Sequence, residues 1–241
     1  REWYMGAVTI CLMAGGFLLT ANYSRQCKEI LYLGETAFVG VTLIGLFQKL
    51  GYDPLGLLRG FVVGDWEYTH LISTLGNSNW LSGYYSVMFP LSLALFLQAV
   101  TEKKINRILL LGAGNALAVM LLLLQGSDGG VLVAGVAVLL SFCLNRKQSG
   151  WGEALLLMLA VACAGMYLWG KEMKAFGTCD ILLQDGIAKD MAGCSHWMLF
   201  ALICLILCGI YHGISENKKR ILQSVLLYGS LATGAAMVLW Y

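Results

Sequence analysis

Charge is what this chain has least of. Asp, Glu, Lys and Arg make up 12% of its 241 residues, about half the share of an average soluble domain. So few charges argue against a water-soluble globular fold. Disorder is excluded as well, since it needs low hydrophobicity and abundant charge. The two signs nearly cancel, for a net charge of +2. No Lys/Arg block stands among aromatics on a polar face, so nucleic acid is not expected as a partner. Proline occurs only twice, against 29 glycines, which suits closely packed transmembrane helices and not proline-rich linkers or a barrel of short alternating strands. The 3 His and 8 Cys form no CxxC pair and no cluster with zinc-ligand spacing.

What the chain does have is apolar sequence, 59% by a broad count, gathered into runs long enough as helices to cross a hydrocarbon core about 30 Å thick. Uninterrupted windows predict about eight transmembrane helices, over 3–21, 30–50, 80–100, 105–124, 131–144, 154–170, 197–213 and 221–241. The window 131–144 is short; it gains length if Gly129 and Gly130 are helical, and the tight 125–130 connection then makes it a hairpin with 105–124. The expected fold class is all-α: a polytopic transmembrane helix bundle forming a single domain over 1–241. Arg1 in place of Met leaves room for an upstream segment.

Loop charge sets the expected orientation. Arg25 and Lys28, then Lys103, Lys104 and Arg107, then Arg146 and Lys147, then Lys218, Lys219 and Arg220 occupy every second connection. Those connections are predicted to be cytoplasmic. The loops 51–79, 125–130 and 171–196 carry mostly acidic charge and face outward, which puts both termini outside. Trp3, Trp80, Trp197 and Trp240 fall at outer helix ends, where amphipathic rings favour the headgroup layer. Most cysteines lie within apolar windows as small buried residues. Cys179 and Cys194 instead share the outer loop 171–196, in a compartment that permits oxidation, and are a disulfide candidate whose Cα geometry sequence does not supply. Glu35 lies about one turn inside its window, and snorkelling to the near interface is the expected way to keep its carboxylate wet. Asn115 and Gln98 are polar residues in other helices with which a proton or cation relay would have to work.

The most informative stretch runs from Gly51-Tyr52-Asp53-Pro54-Leu55-Gly56 to Ser73-Thr74-Leu75-Gly76-Asn77-Ser78-Asn79-Trp80-Leu81-Ser82-Gly83, and continues into a helix containing Pro90. Gly76 permits a turn, while Asn77 and Asn79 offer helix caps and side-chain amides. A second stretch, Gln125-Gly126-Ser127-Asp128-Gly129-Gly130, separates two apolar helices. The pair resembles the O-antigen ligase and polymerase-like family of membrane glycosyltransferases, whose chains often read G-L-D-P-x-G, then S-T-x-G-N-P-N-x-x-A-G before a helix with Pro-Leu, then T-G-S-R-G. The likeness spans about residues 40–145.

The resemblance implies a bacterial cytoplasmic-membrane enzyme of cell-envelope polysaccharide biosynthesis. Such enzymes transfer a glycan from a polyprenyl-diphosphate carrier to a glycolipid or glycan acceptor at the outer face, without a cofactor. Donor-rich groups hold the diphosphate, a base takes the acceptor proton, and an apolar groove admits the lipid. It implies binding roles for Ser73, Gly76, Asn77, Asn79, Ser127 and Asp128, and places His70 where the family usually has an arginine. His196, in the later outer loop, is the second catalytic candidate. The chain departs from the family where Asp128 replaces the arginine of S-R-G, and Arg59 and Lys49 are the cations left in the first loop. The plainer alternatives are interfacial caps for the asparagines, a solvated interfacial role for His70 and a hairpin turn for Asp128. The rival function is a non-catalytic membrane protein, a carrier or an inactive relative that binds lipid or a partner.

Overall fold

The computed structural model describes residues 28–50, 52–53, 55–57, 73–75, 78–125, 128–144, 150–175, 196–215, 217–219, 221–222, 224–225 and 228. Among them there are helices and no strand. Six long helices follow one another: α1 Lys28–Lys49, α2 Ser78–Thr101, α3 Ile105–Leu124, α4 Asp128–Leu144, α5 Trp151–Ala175 and α6 Trp197–Gly213. Six of the eight expected windows therefore hold a helix. The window 3–21 lies outside the described residues, as does most of 221–241. Gly129 and Gly130 are helical, and they lengthen α4.

Four segments are long and apolar enough to cross a membrane: Leu31–Lys49, Trp80–Thr101, Ile105–Leu124 and Trp151–Trp169. The outward surfaces of these and the other long helices are apolar too. Val87, Leu109, Leu110, Leu132, Leu168 and Ile206 are each exposed by more than half, an arrangement that water would penalise and hydrocarbon tolerates. The protein is a membrane protein whose surroundings are a lipid bilayer.

The chain divides into two units, Arg1–Ala37 and Phe38–Tyr241. In the first, the described residues are the opening turns of α1, where Thr36 Oγ1 donates back to the Tyr32 carbonyl (2.8 Å). Glu35 is buried, with 6% of its surface exposed. Snorkelling, expected for this side chain, is corrected: its carboxylate is held inside protein.

The second unit is built round α3. Asn115, Ala116 and every residue from Ala118 to Gln125 are buried, so its Leu-rich second half is covered on all sides. Helices α2, α4 and α5 all pack on it, and α5 pairs most extensively with α6. Small residues let these helices approach. Gly112 faces the Phe96 ring and Gly45 faces Leu121, with room for little more than hydrogen. Phe38, Tyr85, Phe89, Leu93, Leu97, Leu121, Leu155 and Met166 fill the interior.

Helices α2 and α3 are joined by a Schellman-type turn. The Lys104 N–H reaches the Ala99 carbonyl (3.2 Å) and the Lys103 N–H the Val100 carbonyl (3.1 Å). Lys103 takes the left-handed conformation (φ 54°) that glycine usually supplies. Glu102 ties the turn together, 2.6 Å from Lys104 Nζ and accepting from Gln98 Nε2 (2.8 Å). Nearby, Trp151 Nε1 donates to Thr101 Oγ1 (2.9 Å), pinning the start of α5 to the end of α2. At the same end Glu153 binds Lys219 (3.2 Å), whose ammonium sits 4.8 Å from the Tyr211 ring centroid. The bundle thus has a basic end, where α2, α4 and α6 finish and α3 and α5 begin, and an opposite end, where α1 and α3 finish and α2 and α4 begin.

Two outcomes are expected. A Cβ on Gly152 would lie 2.5 Å from the Tyr211 ring, so Gly152→Ala should cost about 1–3 kcal/mol by overpacking. Gly209→Ala, with open space around it, should be close to neutral; thermal unfolding of both in detergent checks the contrast. The Glu102 carboxyl is held below its ordinary value by the hydrogen bond from Lys104 and then that from Gln98. Its contribution is therefore complete above the ordinary carboxylate range and is lost as pH falls through the lowered folded value. A chemical-shift titration of Glu102 should show this low midpoint, and Lys104→Met should raise it.

Candidate functional site

The end opposite the basic one gathers amide and hydroxyl groups in hydrogen bonds between segments far apart in the chain, and both sequence motifs reach it. Ser82, from the stretch that opens α2, accepts from Gln125 Nε2 at the end of α3 (2.8 Å), across 43 residues of chain. Gln125 is the C-cap of α3, its backbone N–H still bonded to the Leu121 carbonyl, so its side chain is free to cross to α2. The Gln125 amide passes directly over Gly130, where any Cβ would collide with Nε2. A glycine in the first turn of α4 is thus a condition of the α2–α3 contact. Gln125 Oε1 is buried and meets no hydrogen-bond donor among the described residues.

A second bracket holds the chain just before the first motif's turn. Gln48, buried in the last turn of α1, accepts from the Ser73 N–H through Oε1 (2.8 Å) and donates through Nε2 to the Ser73 carbonyl (3.4 Å). The side-chain amide therefore pairs with one residue's backbone as a neighbouring strand would. Ser73 Oγ donates in turn to the Val41 carbonyl (2.7 Å). These bonds hold Ser73 at φ 46°, a left-handed conformation that costs a non-glycine residue roughly 1–2 kcal/mol. Deeper in, Tyr85 and Thr42 share a hydrogen bond. Because Thr42 Oγ1 donates to the Phe38 carbonyl (2.8 Å), the Tyr85 hydroxyl supplies the proton of that bond.

The expected site residues divide accordingly. Ser73 is buried and its hydroxyl is engaged with α1, a structural task in place of an open binding group. Asn79 and Asp128 lie in the first turns of α2 and α4; the helical state of Asp128 makes it the first residue of a helix. His196 is exposed and directly precedes α6, its carbonyl accepting the Phe200 N–H (3.0 Å). Lys49 is buried, with 7% exposed. Arg59, His70, Gly76, Asn77, Ser127, Cys179 and Cys194 lie outside the described residues.

At the helix ends where tryptophans were expected, Trp197 is buried and packs edge-on against Phe200 (5.6 Å between centroids), whereas Trp80 is exposed by half. Of the two polar residues a relay would have to use, Gln98 donates to Glu102 (2.8 Å), while Asn115 Nδ2 donates to Ser92 Oγ (2.9 Å) and to the Leu111 carbonyl (2.8 Å).

Ser82 and Gln125 stand in the two motif stretches without an assigned role, and the sequence assigns none to Gln48 or Tyr85 either. The signal that could have found the two glutamines is their position in otherwise apolar helix ends, where an amide needs an internal partner.

Fold and surface together define a polytopic membrane protein with an amide-lined end and a basic end. Compared with protein-family models, curated proteins and solved structures, the chain matches none.

Replacing Gln48 by Leu should strand the buried Ser73 N–H and cost about 1–3 kcal/mol, lowering the unfolding midpoint by several degrees. Gln98→Leu, at an exposed position, should shift it little; circular dichroism melts of the two variants separate these outcomes.

Proposed function

We propose that this chain is a membrane glycosyltransferase of the O-antigen ligase type, acting at the outer face of a bacterial cytoplasmic membrane. The observation that carries the reading is the Gln125–Ser82 hydrogen bond: it joins the two stretches in which the chain resembles that family, and it does so at the end that the distribution of Lys and Arg turns outward. The orientation, with about eight spans and both termini outside, belongs to the same proposal.

In this reading an acceptor hydroxyl attacks the anomeric carbon of a glycan carried on polyprenyl diphosphate. The bond from that carbon to the diphosphate oxygen breaks, and the carrier leaves with the electron pair. Asn77 and Asn79 donate hydrogen bonds to the departing oxygens, His70 and Arg59 supply positive charge in place of the family's arginines, and His196 takes the acceptor proton. Fixed donors stabilise developing anionic charge more than solvent does, and in this reading Asn77 and Asn79 are those donors, since the Gln48 and Gln125 amides donate within the protein.

Asp128 favours a second reading. An anion in place of the family's cation opposes a diphosphate, as expected of a relative that binds a lipid-linked glycan without transferring it.

In liposomes supplied with a polyprenyl-diphosphate glycan and an acceptor, Asn77→Ala together with Asn79→Ala should lower transfer by about 10²–10³-fold while membrane insertion stays intact. Unchanged transfer would remove the proposed site. Donor binding without transfer by the unaltered chain would select the second reading.

A further inference from the structure

Away from the amide-lined end, a groove of about 440 Å³ opens among α4, α5 and α6, within the range of small-molecule sites, roughly 300–1,000 Å³. Every described residue lining it is apolar or aromatic, among them Phe142, Leu155, Leu207, Ile210, Tyr211 and Ile214. These come from the last turns of α4 and α6 and the first turns of α5, so the groove lies towards the basic end.

Charge is distributed round it in a definite way. Tyr211 stands between groove and cations: its ring packs on Phe142 (5.4 Å between centroids) and lies under the Lys219 ammonium. Lys219 is itself committed to Glu153, and the His212 ring, mostly exposed, lies 3.8 Å from the same carboxylate. One helical residue earlier, Lys218 is exposed. An occupant must therefore offer hydrocarbon to the groove and negative charge to its rim.

We propose that the groove holds an acyl chain of an anionic phospholipid, with the headgroup phosphate seated by Lys218 and His212. The Lys219–Glu153 pair keeps Tyr211 in place as the wall between chain and headgroup. A zwitterionic lipid satisfies the groove but not the rim, because its own cation competes for the phosphate. This site is independent of the glycan-transfer reading, which concerns the other end of the bundle.

The test uses the full chain in zwitterionic detergent, titrated with phosphatidylglycerol or phosphatidylcholine of identical acyl chains and followed by native mass spectrometry. Phosphatidylglycerol should bind about fivefold more tightly, and Lys218→Gln should bring it to the level of phosphatidylcholine. Leu207→Trp, at a position half-exposed and therefore tolerant of size, should fill the groove and weaken both lipids. Equal affinity of the unaltered chain for the two lipids would overturn the proposal, as would phosphatidylglycerol binding unaffected by either substitution. A dimer that dissociates on Leu207→Trp, with no lipid retained, would assign the groove to a second copy and overturn it too.

Discussion

Because the outer surface of this bundle is as apolar as its interior, hydrocarbon burial does not choose which helix faces which. In a bilayer, close packing and internal hydrogen bonds make that choice. Here the choice falls to a short set of contacts. Asn115 reaches Ser92, Gln125 reaches Ser82, and Tyr85 shares a bond with Thr42. Each is a polar group that would be costly facing lipid, and each has its partner on a different helix. Around them, Gly45 and Gly112 allow close approach, so dispersion contacts accumulate where the polar pairs have set the register.

The same constraint separates the two ends chemically. The basic end is held by charge: Glu102 with Lys104, Glu153 with Lys219. The opposite end is held by amides and hydroxyls, with Gln48 bracketing Ser73 and Gln125 crossing to Ser82. The exposed Glu102–Lys104 pair is worth little individually, whereas Lys219 and Glu153 are largely buried, so that losing one would strand the other's charge. Buried amides are not exchangeable, since a lost partner leaves a stranded donor.

Much of the helical architecture was legible in the sequence because bilayer thickness imposes one simple test, length of apolar run. Windows 105–124 and 197–213 coincide with α3 and α6, and α5 exceeds its window only because Trp151, Gly152 and Glu153, and the residues from Lys171 onward, are helical but not uniformly apolar. Side-chain fate was less legible. Glu35 and Trp197 both follow from averages over membrane interfaces, which place a carboxylate or an indole near water; the structure buries both. Such rules describe a helix alone in lipid and do not say which positions a neighbour covers. Likewise Ser73 drew notice as a motif residue, while Gln48, which holds it, carries no motif. Pairings across many residues of chain leave no periodic trace to read.

The position of α3 bears on how the protein enters the membrane. It is the most apolar of the four candidate spans and also the most enclosed in the finished bundle, so during synthesis it can rest in bare lipid at little cost except at one point, the Asn115 carboxamide. Relief of that single exposure comes from Ser92 on α2, which the short turn at Glu102 and Lys103 already holds antiparallel. The translocon would then release α2 and α3 as a zipped hairpin, and the later helices would assemble against a pillar already standing.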